Sequence, residues 1–494
     1  MKKYAYLALS ATLLTSLSFS QEEVNTSYWT GNTREGTSGW GLSSVAENWS
    51  TGTIPDANTN VVFDNEYLTG EKILSIHTTS GFTCNDYTVT SNYGGHQIRV
   101  DGTMTINGDF TTQKPGTVTL LSNGSNNSAA ILNIGGSVIV GVDGDITSNV
   151  SYLKIGETTS NQWGGWGGPK NVTIGGDIIM YELGKVSFNV NLKGRTADYS
   201  NPDIDVKGLI RFEGNGSTNP ILDIINASNP YTSGDNKQYS IPVEVVLACN
   251  GISGNGVISN NSNGSLDNGP SKAILLLRND SDQYFAGWIQ DGQNCTTKIV
   301  MNGTATQYLT SVNKDPEKPT QGICFTGGLE IISGTLSMRY DHPINHGDLE
   351  MRGGKLKNDS VSSAWNVNFT NLIYEGGTIV SRWNGSNMDV ITLSGGLQKG
   401  AGFADGDKFL IEVAATDVSS LTDELVIAWD NVAQKTDFTE DDFEATYFEG
   451  YEALFNIKDD GLYLSYIAVP EPASFAVMLG ALALGLCACR NKRK

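Results

Sequence analysis

Apolar side chains in this chain fall in short alternating runs, not at helical spacing. Val172, Ile174, Ile178 and Met180 are separated by polar or glycine positions, and Leu462-Tyr463-Leu464-Ser465-Tyr466-Ile467 repeats the alternation. Successive side chains of a strand point to opposite faces, so a period of two predicts strands with one face turned to a core. No amphipathic helix of any length is legible between residues 60 and 400. A pattern of apolar, any, Gly, any, apolar recurs as Ile106-Asn107-Gly108-Asp109-Phe110, Ile134-Gly135-Gly136-Ser137-Val138 and Ile174-Gly175-Gly176-Asp177-Ile178. It returns as Phe325-Thr326-Gly327-Gly328-Leu329, Ile332-Ser333-Gly334-Thr335-Leu336 and Leu393-Ser394-Gly395-Gly396-Leu397. Glycine at these places predicts sharp turns between strands, because it takes positive φ at little cost.

Two architectures accept short strands with glycine corners. Stacked coils give a parallel β-solenoid with a continuous apolar column inside. Hairpin-paired strands give β-sandwich domains. The first three copies are separated by 28 and then 40 residues, without linkers and at near-constant composition, which favours the solenoid. The expected fold is therefore all-β, an elongated parallel β-solenoid (β-helix) with N- and C-terminal caps. Coils of roughly 20–25 residues rising about 4.8 Å each make a rod on the order of 70 Å. Residues 66–402 are assigned to the repeats and 21–65 to an N-terminal cap in which Trp29, Trp40 and Trp49 cover the open end. Residues 403–468, with Thr422-Asp423-Glu424 and Thr439-Glu440-Asp441-Asp442, form an acidic C-terminal cap.

The two ends of the chain concern targeting. Lys2-Lys3 precede an apolar stretch from Tyr4 to Leu17, and Ser18 and Ser20 supply small residues at −3 and −1. Residues 1–20 thus read as a secretory signal peptide, cut before Gln21. At the other end Val469-Pro470-Glu471-Pro472 precedes an uncharged apolar run of 17 residues, Ala473 to Cys489, and then Arg490-Asn491-Lys492-Arg493-Lys494. Prolines forbid regular structure before the run, 17 residues is the short limit for a spanning helix, and Arg490, Lys492, Arg493 and Lys494 stop transfer. This order resembles the PEP-CTERM sorting signal. The resemblance implies an exosortase-type membrane protease as partner, cleavage near the triplet, and only a transient inner-membrane anchor.

A second resemblance involves the body. Tyr28-Trp29-Thr30-Gly31-Asn32, Trp40, Asn48-Trp49-Ser50-Thr51-Gly52, Pro55 and Val61-Val62-Phe63-Asp64 look like the N-terminal cap of autotransporter-type β-strand-repeat proteins. Gly254-Asn255-Gly256-Val257-Ile258, Ala273-Ile274-Leu275-Leu276-Leu277, Tyr284-Phe285-Ala286-Gly287-Trp288 and the run Gly328 to Leu336 are similar to that repeat's order of strands. The likeness covers residues 28–65 and 250–400, with the sorting tail standing where a translocator barrel would be.

Charge narrows the function. The formal charge is −21, and residues 1–20 and 473–494 hold six of the 32 basic side chains but none of the 53 acidic ones. The exported body so acidic disfavours nucleic acid and anionic lipid as partners. Cys84, Cys249, Cys295 and Cys324 lie in that body and allow three pairings if all are oxidised, so one or two disulfides are expected in an oxidising compartment. Cys487 and Cys489 belong to the apolar tail.

Candidates for chemistry are few. The histidines are His77, His96, His342 and His346, and the last two stand i,i+4 across Pro343, which argues against a zinc-binding helix. Asp143/Asp145, Asp203/Asp205 and Asp405/Asp407 are D-x-D pairs suited to weak calcium binding or to plain solvated turns. No catalytic residue, firm metal site or cofactor is assigned. The expectation is an exported surface or extracellular-matrix protein with a structural or adhesive role, near extracellular polysaccharide. The alternatives are a β-helix polysaccharide lyase or hydrolase, needing a Lys or Arg base among carboxylates, and a carbohydrate-binding protein using the tryptophans.

Overall fold

The computed structural model describes residues 24–469 except 37–38, 80, 91–94, 114–115, 123–129, 145–149, 157–168, 189–196, 215–218, 228–230, 233–237, 240–243, 263–270, 293–294, 312–321, 340–341, 359–365 and 430–435. The signal peptide, Pro470, Glu471, Pro472, the 473–489 segment, Arg490, Lys492, Arg493, Lys494 and Asp145 therefore lie outside the described residues. Among the described residues no helix is long and apolar enough to cross a membrane.

Strands dominate, and nearly all pair in parallel with the strand one coil before and one coil after. Each coil passes through three faces. Phe82–Cys84, Tyr87–Val89 and His96–Val100 are the first coil to show all three, and Thr103–Ile106, Phe110–Thr112 and Gly116–Ser122 stack on them in the same order. Faces one and two join in a 23-stranded sheet where long strands such as Cys295–Leu309 run round the corner; face three is built from ten strands and then six. This is a β-helix-like parallel architecture, and the sandwich alternative, which requires hairpin pairing, does not describe it.

One register line shows why the chain folds this way. Phe82 lies over Met104, which lies over Leu132, Val172, Ile204 and Leu247 in turn. The line continues through Leu275, Ile299, Leu329, Leu349, Leu372 and Leu397. Every member is buried. The alternation of the sequence thus becomes a continuous apolar column, and each coil's inner face is covered by its two neighbours. The second face carries the longest such series, from Asn25–Tyr28 to Phe443–Ala445, a length on the order of 70 Å at about 4.8 Å per strand.

Coil length differs from expectation. Steps of 22, 20, 23 and 25 residues separate Phe82 from Met104, and then Leu329, Leu349, Leu372 and Leu397, but Leu132 to Val172 takes 40 and Ile204 to Leu247 takes 43. Much of the excess falls at one corner. The connections leaving Gly116–Ser122, Ser151–Ile155, Gly184–Phe188, Ile221–Ala227 and Val257–Ser262 toward face one hold 8 to 16 residues, against two after His96–Val100. Connections tolerate changes of length that the stacked strands do not.

The glycine motif has the expected positive φ at Gly334 (74°), but in the first three copies the cause is different. Gly135 and Gly175 do not have positive φ. A Cβ built on Gly175 would run into the carbonyl of Gly135, and one on Gly135 into that of Asn107. Close approach between stacked corners is what requires glycine there. The neighbouring polar residue builds a ladder: the Asp109 N–H donates to Asp86 (2.9 Å), Ser137 N–H to Asp109 (2.7 Å), Asp177 N–H to Ser137 Oγ (3.1 Å) and Leu209 N–H to Asp177 (2.8 Å).

Both ends are covered. The edge of Asn25–Tyr28 is met by the chain itself, with Ser50 N–H donating to Tyr28 O (2.9 Å) and Tyr28 N–H to Ser50 Oγ (2.9 Å). At the other end Glu424–Trp429 pairs antiparallel with Gly461–Ala468, which pairs antiparallel with Tyr451–Lys458. That reversal ends the parallel stack. The parallel stack runs past both boundaries read from the sequence, from Asn25 and as far as Ala445.

Candidate functional site

Among the described residues, acids and bases converge on the outer side of face one. Lys298, Glu330, Glu350 and Arg352 come from three consecutive coils. Lys298 Nζ sits 2.7 Å from Glu330 and 3.1 Å from Glu350; Arg352 Nε is 3.0 Å from Glu330 and its terminal nitrogen 3.0 Å from Glu350. Tyr199, from a connection four coils earlier, donates its hydroxyl to Glu330 (2.9 Å). No sequence motif links these residues. The signal that would have found them is the pair Leu329-Glu330-Ile331 and Leu349-Glu350-Met351, whose outward carboxylates fall one coil apart once register is known.

Two positive and two negative groups here neutralise one another. Burial alone would lower the Lys298 pKa, but the hydrogen bond and charge of Glu330 overcome it and raise it well above the usual lysine range. Burial works against the Glu350 charge as well, and the bond from Arg352 with the charge of Lys298 lowers its pKa. A polysaccharide lyase needs a base able to take a proton near neutral pH. An ammonium locked on two carboxylates is the opposite of that, so this cluster reads as cross-coil clamping.

A second polar cluster closes the N-terminal end. His77 is buried, with Nδ1 2.7 Å from Glu35 and Nε2 2.7 Å from Asp101, and Arg99 holds the same Asp101 carboxylate at 2.8 Å. It ties the segment ahead of Gly41–Leu42 to two coils below. Both ring nitrogens are taken by carboxylates, and Trp40 stands edge to face at 6.5 Å. His96 and His346 are core residues: His96 stacks on Phe63 at 3.7 Å between centroids, and His346 lies 4.5 Å from Phe325. For the pair spaced i,i+4, strand His342–Asn345 leads into a buried His346 that bonds the Phe325 carbonyl through Nδ1 (2.9 Å).

The remaining sequence candidates fare unevenly. Asp203 and Asp205 do share a face, but the chain satisfies them itself: Asp203 accepts the Val246 N–H (3.0 Å), and Asp205 takes both Lys207 and Arg278. Burial opposes the Asp205 charge; the bonds from those two cations prevail and lower its pKa. Asp407 accepts the Ala404 N–H (2.8 Å) within a turn it shares with Asp405, and Asp143 lies in another exposed turn. Among the described residues no three His, Cys, Asp or Glu side chains are placed to hold a metal ion. Val469 is exposed, and its N–H donates to the Gly450 carbonyl (2.8 Å).

One expectation and one alternative are corrected. Cys84, Cys249, Cys295 and Cys324 are buried thiols, and no disulfide joins them. Burial raises the pKa of Cys249 and of Cys295 to about 12. Trp29 and Trp49 are not a sugar platform. They pack edge to face at 4.9 Å inside the core, with the Trp29 indole N–H on the Ile73 carbonyl (2.8 Å) and that of Trp49 on Ser43 (2.8 Å). Comparison of the chain with family models, curated proteins and solved structures gives no match.

Proposed function

We propose that this chain is an exported, acidic structural or adhesive rod of the cell envelope or extracellular matrix. It would be delivered by residues 1–20 and sorted through Val469-Pro470-Glu471-Pro472, with an exosortase-type protease removing the 473–489 segment and its basic tip. The observation that carries the reading is a parallel stack, covered at both ends, whose charged clusters are used up in pairing with one another. Such an object resists unfolding and offers extended surface, which is what a matrix component requires. Mass determination of the mature protein, in cells with and without the membrane protease, tests the sorting half. A C-terminus still ending at Lys494 in both strains refutes it, and measurable turnover of a polysaccharide refutes the structural half.

A carbohydrate-binding role is favoured by one observation away from the tryptophans. Tyr284 is 57% exposed and lies parallel to Tyr308, with ring centroids 4.3 Å apart, on the outside of face two. The two rings are stacked face to face, and the exposed Tyr284 ring at the surface suits contact with a sugar. Retention on immobilised polysaccharide that survives Tyr284→Ala unchanged removes this second reading.

A further inference from the structure

The outer side of face one is polar at Thr83, Thr105, Asn133, Thr173 and Asp205, as an exposed strand face should be. Over the next three coils it turns apolar. Val246 and Ala248, then Ile274 and Leu276, then Val300 form a strip along the axis, separate from the interior core, and each is at most 1% exposed. What hides them includes a piece of an earlier coil: Ala197 and Tyr199 pack on the strip, and Ile332 extends it.

The piece is fastened at both ends. The Ala197 N–H donates to Glu244 (2.9 Å), and the Tyr199 hydroxyl donates to Glu330 (2.9 Å), 131 residues further along the chain. Between them Asp198 fixes a tight turn by accepting from Ser200 N–H (3.0 Å) and Ser200 Oγ (2.6 Å). Glu330 is itself immobilised by Lys298 and Arg352. Burial raises the Tyr199 pKa to about 12, so the hydroxyl stays a donor across the ordinary pH range. Coil closure does not require any of this. The connection from Gly184–Phe188 to Ile204–Val206 holds 15 residues where the equivalent connection from His96–Val100 to Thr103–Ile106 holds two.

We infer that residues 197–200 form a strap that covers the outward apolar strip, latched by Tyr199 on Glu330, and that lifting it exposes a surface for side-by-side association with a second copy of this rod. Uncovered apolar area on a soluble surface is a contact site. The second copy is the natural occupant because the strip repeats at strand spacing along the axis, so two identical strips match residue for residue. This inference stands whatever the rod's role in the envelope.

Full-length mature protein carrying Tyr199→Ala with Ala197→Glu tests it, read by mass in solution, binding of an apolar fluorescent dye, and circular dichroism. The expected result is unchanged β signal, several-fold more dye fluorescence and a twofold mass. A monomer with no added dye binding overturns the strap, and so does global unfolding, which would make these residues core. Tyr199→Phe keeps the ring and removes the latch alone. Amide exchange at Ala197 and Val246 is expected to rise about tenfold in that variant with the inner column unchanged, and no rise overturns the latch.

Discussion

Acid should loosen this rod at His96, and the size of the effect can be worked from its surroundings. The ring is fully buried, stacked on Phe63, with Nδ1–H donating to the Leu74 carbonyl (2.8 Å) and Nε2 accepting the Tyr87 hydroxyl (2.7 Å). Those partners suit the neutral ring and leave no place for a second proton. Burial pulls its pKa from 6.5 to about 4, against a small opposing contribution from the Leu74 carbonyl. The folded ring is thus the weaker base, and the unfolded chain takes up the proton first. Stability is complete above about pH 6.5 and declines as pH falls toward 4. A depression of this size corresponds to about 3 kcal/mol once both states are protonated, and to about 2 kcal/mol at pH 5. Urea unfolding at pH 7 and pH 5, compared between the native chain and His96→Gln, isolates this from the carboxylates that also titrate. The glutamine keeps one donor and one acceptor but does not ionise, so the native chain should lose about 2 kcal/mol more than the variant between those two conditions. A stability difference that stays constant from pH 7 to pH 5 would refute the reasoning.

Other substitutions follow from the same geometry. His346→Gln should lessen acid sensitivity by a similar amount, since burial lowers that ring to about 4 as well, and the two effects should add because the sites are many coils apart. Gly175→Ala should cost about 1–3 kcal/mol through collision with the Gly135 carbonyl, with amide exchange raised in the adjoining coils; a neutral result would mean that the corners are looser than they stand here. Glu330→Gln should cost about 3–5 kcal/mol by leaving Lys298 and Arg352 without half their partners, measured by chemical denaturation. Cys84, Cys249, Cys295 and Cys324 should react with a thiol reagent at pH 8 only after unfolding, and their masses should match with and without reductant; rapid native labelling or a two-dalton deficit contradicts the buried-thiol assignment.

Much of the architecture was legible from order along the chain. Alternation at Val172, Ile174, Ile178 and Met180 announced strands, and the recurrent Ile-x-Gly-x-Ile corner announced repetition, because period two and close turns are local properties. The burial of Trp29 and Trp49 was also legible, since they are too large and apolar to remain outside. Local pattern did not reveal why glycine stands at the corner. Gly175 is dictated by the Gly135 carbonyl one coil below, a contact between residues 40 apart. Nor did it reveal which charges meet. Lys298, Glu330, Glu350 and Arg352 are ordinary surface residues in the sequence, and Tyr199 is a tyrosine in a polar connection; register alone brings them within hydrogen-bond reach. The cysteines show the converse, as their spacing suggests bridges while the fold leaves all four as buried thiols. Sequence determines which face of each strand is apolar because that is set within a few residues. Only the stack decides which coil lies on which, because corner length is unconstrained and the pairing energy belongs to strands far apart in the chain.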